Sequence, residues 1–146
     1  MRVVLDTNIL VSALITKDTP PHQLYRAWLR GDVELVTSQA QIDELRAVLG
    51  RPRLRRYVDP AEADRMLPAL HLNASVLQDV PVARRSPDPK DDPILAMAVI
   101  GEADVLVSGD KTDMLALKSV EDVPIATARE ALSLVLGQSR PPRTHR

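Results

Sequence analysis

The chain has 146 residues, enough for one domain with a real core, and 45% of them are apolar. Charged residues make up 27%, which argues for a folded chain rather than a disordered one, and the net charge of −1 excludes any global basic signal for nucleic acid. There is no Cys, which excludes disulfides, thiolate metal sites and cysteine nucleophiles and fits a reducing cytoplasm; there is no Phe either, so the core must be built from Val, Leu, Ile and Ala.

Residues 2–5 read as a short buried strand that runs straight into Asp6-Thr7-Asn8. Asp6 interrupts the apolar run too early for a signal peptide, and no apolar stretch is long enough to span a bilayer. A short helix is expected over residues 8–14. Thr19-Pro20-Pro21 starts another, with Leu24, Tyr25, Ala27 and Trp28 as its apolar face and Gly31 as its stop. Residues 33–36 predict a second strand. Ser38 and Gln41 have the spacing of a capping box, opening a helix that Gly50 ends, with Ile42, Leu45 and Leu49 facing the core.

Residues 51–56 form a basic connector. Asp59-Pro60 with Glu62 starts a helix that should reach about Ser75, kinked at Pro68. Residues 80–90, rich in proline and charge, read as a loop, after which Asp92 is placed to cap a helix with Pro93 at its first position. Residues 105–107 and 123–126 predict a third and a fourth strand. Thr127 and Glu130 form a second capping box before a last helix ending near Gly137, and residues 138–146 read as a Pro- and Arg-rich tail. Apolar strands alternating with amphipathic helices define one α/β domain, residues 1–137, with a mainly parallel sheet.

In open sheets of this kind ligands bind beyond the carboxyl ends of the strands. Asp6 ends the first strand, Glu44 sits one turn into the helix after the second, and Asp110 and Asp113 follow the third. Asp92 precedes a helix that runs back to the other end of the sheet, so the strand-end rule alone does not place it. Carboxylates crowded together stay ionised only around cations, and an oxygen donor set favours Mg²⁺ or Mn²⁺ over Zn²⁺. Singly, each acid also has a plainer reading: Asp92 as a cap, Glu44 as a solvated helix residue, Asp110 and Asp113 as a polar turn.

Asp6-Thr7-Asn8 after an N-terminal strand, the helical Glu44, the stretch DPKDDPILAMA and the stretch VLVSGDKTDML together resemble the PIN-domain family, closest to its bacterial toxins of VapC type. The resemblance runs from about Met1 to Gly137. It implies a three-layer α/β/α fold with a parallel sheet of about five strands and an RNA-cleaving activity that depends on Mg²⁺ or Mn²⁺. By position, Asp6, Glu44, Asp92 and Asp110 match the family's acidic quartet and Asp113 a further acid. Asn8 and Ser108 match polar residues that support the site. Toxin-type members are commonly held by a small antitoxin and often form homodimers, which the resemblance extends to this chain as expectations.

RNA approaching an acidic site needs cations around it. Arg46, Arg51, Arg53, Arg55 and Arg56 cluster near the end of the Glu44 helix, and Arg84, Arg85 and Lys90 precede the Asp92 motif. The tail adds Arg140, Arg143 and Arg146. Two other readings compete. Phosphoryl transfer through an aspartyl-phosphate requires a second Asp two residues after the first, where this chain has Asn8. A PIN-like domain that binds RNA or protein without cutting would usually have lost an acid of the quartet.

Overall fold

The computed structural model describes residues 1–109 and 114–137. Among these residues β1 (Arg2–Leu5) leads into α1 (Thr7–Ile15) and α2 (Pro20–Leu29), then β2 (Glu34–Ser38) and α3 (Gln39–Leu49). A single helical turn, α4 (Pro52–Arg55), and the longer α5 (Pro60–Asn73) precede β3 (Ser75–Leu77). A 3₁₀ turn (Pro89–Asp91) runs into α6 (Asp92–Ile100), followed by β4 (Val105–Val107), α7 (Met114–Leu117), β5 (Ser119–Val120), β6 (Val123–Ala126) and α8 (Ala128–Gly137). No helix among the described residues is long and apolar enough to cross a membrane.

The sheet has six strands in the order β3-β2-β1-β4-β6-β5. Five are parallel, and β5 is a two-residue antiparallel edge joined to β6 by Glu121 and Asp122, both at positive φ as a tight two-residue hairpin requires. The α/β class and the mainly parallel sheet are as expected. Side-chain alternation builds the three layers. Val3, Leu5, Leu35, Val105 and Val107 face a core shared with α1, α2, α3, α5 and α8. Val4, Val36 and Leu106 face the other way, onto Leu95, Met97 and Ala98 of α6 and Met114 of α7. Leu24 and Trp28 are both core residues.

Several local expectations change. The second strand lies at Glu34–Ser38 rather than 33–36. The helix after Pro60 stops at Asn73, runs on through Pro68, and leaves a three-residue strand, β3, too short for any periodic signal. The basic connector contains a helical turn. Asp92 is not the N-cap: the 3₁₀ turn carries helical backbone one residue further back, so Asp91 takes the cap position and Asp92 is the first helical residue. The predicted tail at 138–146 lies outside the described residues.

The second capping box forms in both directions, Glu130 accepting from the Thr127 N–H at 2.9 Å and the Thr127 hydroxyl oxygen accepting from the Glu130 N–H at 3.2 Å. The Thr127 backbone and side-chain bonds hold the Glu130 carboxyl below its ordinary value. A depressed folded pKa means that this support for α8 is present at neutral pH and is lost as the pH falls through that value. Amide exchange at the start of α8 should therefore speed up on acidification in the parent chain, and Glu130→Gln should remove that pH dependence. Where α6 ends, a Cβ on Gly101 would lie 2.6 Å from Val36 Cγ1 and 2.7 Å from the Met97 carbonyl oxygen. Gly101→Ala should cost about 1–3 kcal/mol in urea unfolding through overpacking of the helix against the sheet.

Candidate active site

The chain proceeds outward from β1 to β2 to β3, then crosses back to place β4 on the other side of β1. The strand order therefore reverses between β1 and β4, and an open α/β sheet has its crevice there, at the carboxyl ends. Asp6 occupies this position. Its backbone N–H bonds the Val107 carbonyl at 2.9 Å, fixing it against the end of β4. Its Oδ1 accepts from the Asn8 N–H at 3.2 Å and its Oδ2 from the Ser108 hydroxyl at 3.2 Å. Ser108 is fully buried, and its own N–H is held by the Ala126 carbonyl at 3.0 Å. Ser108 thus touches Asp6 by its side chain, as expected, whereas Asn8 does so by its backbone, a contact most residue types would supply.

Behind Asp6 lies a buried polar network that the sequence did not reveal. Gln41 caps α3 through its backbone, its N–H reaching the Ser38 hydroxyl at 3.0 Å, but its side chain does not return to the cap. The amide Nε2 instead donates to the Leu5 carbonyl at 2.7 Å and lies 3.4 Å from the Thr7 hydroxyl, while Oε1 accepts from Thr37 at 2.5 Å. One side chain thus holds both sequence neighbours of Asp6. Glu44 follows three residues later, on the adjoining part of the same helix face. It is exposed and makes no hydrogen bond or ion pair to a described residue.

Asp92 reaches the same edge of the sheet because α6 runs antiparallel to β1: Arg2, at the start of β1, donates from Nε to the Gly101 carbonyl at 2.9 Å, at the far end of that helix. Its carboxylate is turned into the preceding loop. Oδ1 accepts from the Arg85 and Ser86 N–H groups, both at 2.9 Å, and Arg84 lies 3.7 Å from Oδ2. The residue is only 3% exposed. Burial alone would raise its pKa, but the two N–H donors, the Ser86 side chain and Arg84 outweigh it and hold the carboxyl below its ordinary value. Arg85 in turn pairs with Glu121 of the β5–β6 hairpin at 3.0 Å, tying the loop to the sheet edge.

Asp110 and Asp113 lie outside the described residues. Among the described residues no three His, Asp or Glu side chains form a group able to hold a metal ion. The donors on this edge are nonetheless carboxylates, in a chain without Cys, and that set suits a hard divalent cation. A concavity of about 430 Å³ between α2 and α8, lined by residues such as Arg26, Ala27, Leu132 and Val135, contains none of the candidate site acids. Of the arginines, Arg46 pairs with Asp43 at 3.4 Å, while Arg51, Arg53, Arg55 and Arg56 are exposed and have no carboxylate partner among the described residues.

The Gln41 network generates a stability test. Gln41→Leu leaves the buried Leu5 carbonyl without this donor and should cost about 1–3 kcal/mol in urea unfolding. Gln39→Leu, which loses only an exposed bond to Asp43, should stay within about 0.5 kcal/mol of the parent.

A family model described as PIN domain matches residues 2–112, a segment that contains Asp6, Glu44, Asp92, Ser108 and Asp110. Comparison with curated proteins finds no match. PIN domains are generally nucleases, and such nucleases generally use divalent metals. With the family model covering most of its length and Asp6 at the point where the strand order reverses, the chain belongs to the PIN-domain family.

Proposed function

We propose that this protein is an endoribonuclease dependent on Mg²⁺ or Mn²⁺, acting in the cytoplasm as the toxin of a toxin–antitoxin pair. The observation that carries the reading is Asp6, a carboxylate at the switch point of a PIN-family sheet, with both oxygens oriented by hydrogen bonds from Asn8 and Ser108. Family membership supports the nuclease class. The RNA substrate, a small antitoxin and a homodimer follow from the resemblance to VapC-type toxins.

In this reading Asp6, Glu44, Asp92 and Asp110 would hold the cation, with Asp113 as a further acid. A bound divalent cation supplies Lewis acidity, lowering the pKa of water and neutralising charge on the phosphodiester. The chain's own part is to present oxygen donors in a fixed arrangement. The Ser108 hydroxyl and the Asn8 N–H orient Asp6, and Gln41 holds the Leu5 carbonyl before it and approaches the Thr7 hydroxyl after it. Asp92 has two backbone donors on Oδ1, so Oδ2, which faces the exposed Arg84 at 3.7 Å, is the oxygen that would turn to the cation. No side chain is needed as a covalent nucleophile. Arg46, Arg51, Arg53, Arg55 and Arg56 are the candidates to neutralise RNA phosphates.

The test is cleavage of a labelled single-stranded RNA with Mn²⁺ or Mg²⁺. The expected result is cleavage that EDTA abolishes and that Asp6→Asn reduces by more than the roughly 100-fold typical of losing an outer-shell partner. Undiminished cleavage by Asp6→Asn would remove Asp6 from the site. Metal binding by calorimetry without turnover on a broad RNA panel would favour the non-cutting PIN-like domain.

A further inference from the structure

The short turn after α3 carries two independent features that the acidic site does not use. The first is charge. Arg2, Arg30, Arg46, Arg65, Arg84 and Arg85 each have a carboxylate within ion-pairing distance; Arg26 and Arg129 stand singly without one among the described residues, and Arg51, Arg53, Arg55 and Arg56 lack one as a cluster. Four arginines in six residues thus stand exposed without local neutralisation. The second is an aromatic ring. The chain has three aromatic residues: Tyr25 and Trp28 are 2% and 4% exposed and packed on each other, whereas Tyr57 is 60% exposed.

Local geometry puts the two features on one face. The Arg55 and Val58 N–H groups bond the carbonyls four residues back, at Arg51 and Leu54, so helical backbone continues past α4. Val58 is buried in the core and Leu54 packs against it from one turn earlier, which fixes the inward side. At about 100° per residue, Arg53, Arg56 and Tyr57 then fall within one sector of about 100°, from the side opposite the core round to one flank. A ring beside unpaired guanidiniums suits a base flanked by phosphates. A duplex buries its base faces and offers no such contact. Glu44 lies on the helix that leads into this turn, roughly 10 Å before Arg51 at 1.5 Å per residue.

Resting on the ribonuclease reading and extending it, we infer that Arg53, Arg56 and Tyr57 form a subsite for single-stranded RNA, with Tyr57 stacking on a base and the arginines contacting the adjoining phosphates. The subsite holds substrate beyond the far end of the helix that carries Glu44 and contributes a preference for unpaired strands. A single ring suffices for one base, in keeping with a chain too poor in aromatics for a stacking platform.

The test measures binding of a fluorescein-labelled single-stranded RNA dodecamer to the Asp6→Asn protein in EDTA, where neither cleavage nor metal contributes. In that background Tyr57→Ala should weaken binding on the order of 10- to 100-fold, and Tyr57→Phe should restore it to within about twofold. Arg53→Gln with Arg56→Gln should flatten the salt dependence by about 0.7 log units per lost phosphate contact. A duplex of the same sequence should bind more weakly and respond little to Tyr57→Ala. Equal affinity of Tyr57→Ala and Tyr57→Phe, or no single-strand binding by the background protein, would overturn the subsite. Because cleavage by the parent chain is a separate assay, failure here and failure of the ribonuclease reading are distinguishable.

Discussion

The hydrogen bond from the Gln41 amide to the Leu5 carbonyl joins two segments far apart in sequence at the position where the acidic edge begins. Strand β1 is an interior strand, flanked by β2 and β4, and its end would otherwise present a carbonyl with no strand partner. By satisfying that carbonyl and approaching the Thr7 hydroxyl, Gln41 sets the direction in which the chain leaves the sheet. The same residue lies on the first turn of α3, so the helix carrying Glu44 and the strand carrying Asp6 are positioned by one buried contact. A buried polar network of this kind contributes little net stability but enforces one arrangement, because any other would leave donors or acceptors unpaired.

The loop before α6 shows the opposite use of a polar group. Asp92 is an acid almost excluded from solvent, and it remains ionised because backbone N–H groups, rather than water, surround one of its oxygens. Residues 84–86 are thereby folded around a side chain from the next element, and Arg85 fastens the outside of that loop to the β5–β6 hairpin. Loop, helix start and sheet edge form one connected piece. The basic turn after α3 is built differently: only its inner side chains, Leu54 and Val58, are committed to the core.

Much of this was legible in the residues, and the rest was not for definite physical reasons. The run of Val3, Val4 and Leu5 into Asp6 marked both a strand and its end, because an acid there has no place in a core. Thr19, Ser38 and Asp59 were readable as caps because capping chemistry acts within a few residues. The same local logic misplaced Asp92, whose preferred partners are loop N–H groups six and seven residues earlier. It also concealed Gln41, whose spacing from Ser38 fits a capping box while its side chain reaches back 36 residues. Strand β3 carries three residues and no alternation, so the outermost parallel strand on that side was invisible.

Ser108 has a further significance for how the molecule comes into being. Its hydroxyl orients Asp6, yet its backbone N–H is held by Ala126, on a strand made after β4. A nascent chain that has emerged only as far as β4 already contains Asp6, Glu44 and Asp92 but has nothing on which to seat Ser108. The acidic edge is therefore completed only when β6 docks beside β4, after Asp6, Glu44 and Asp92 have all been made.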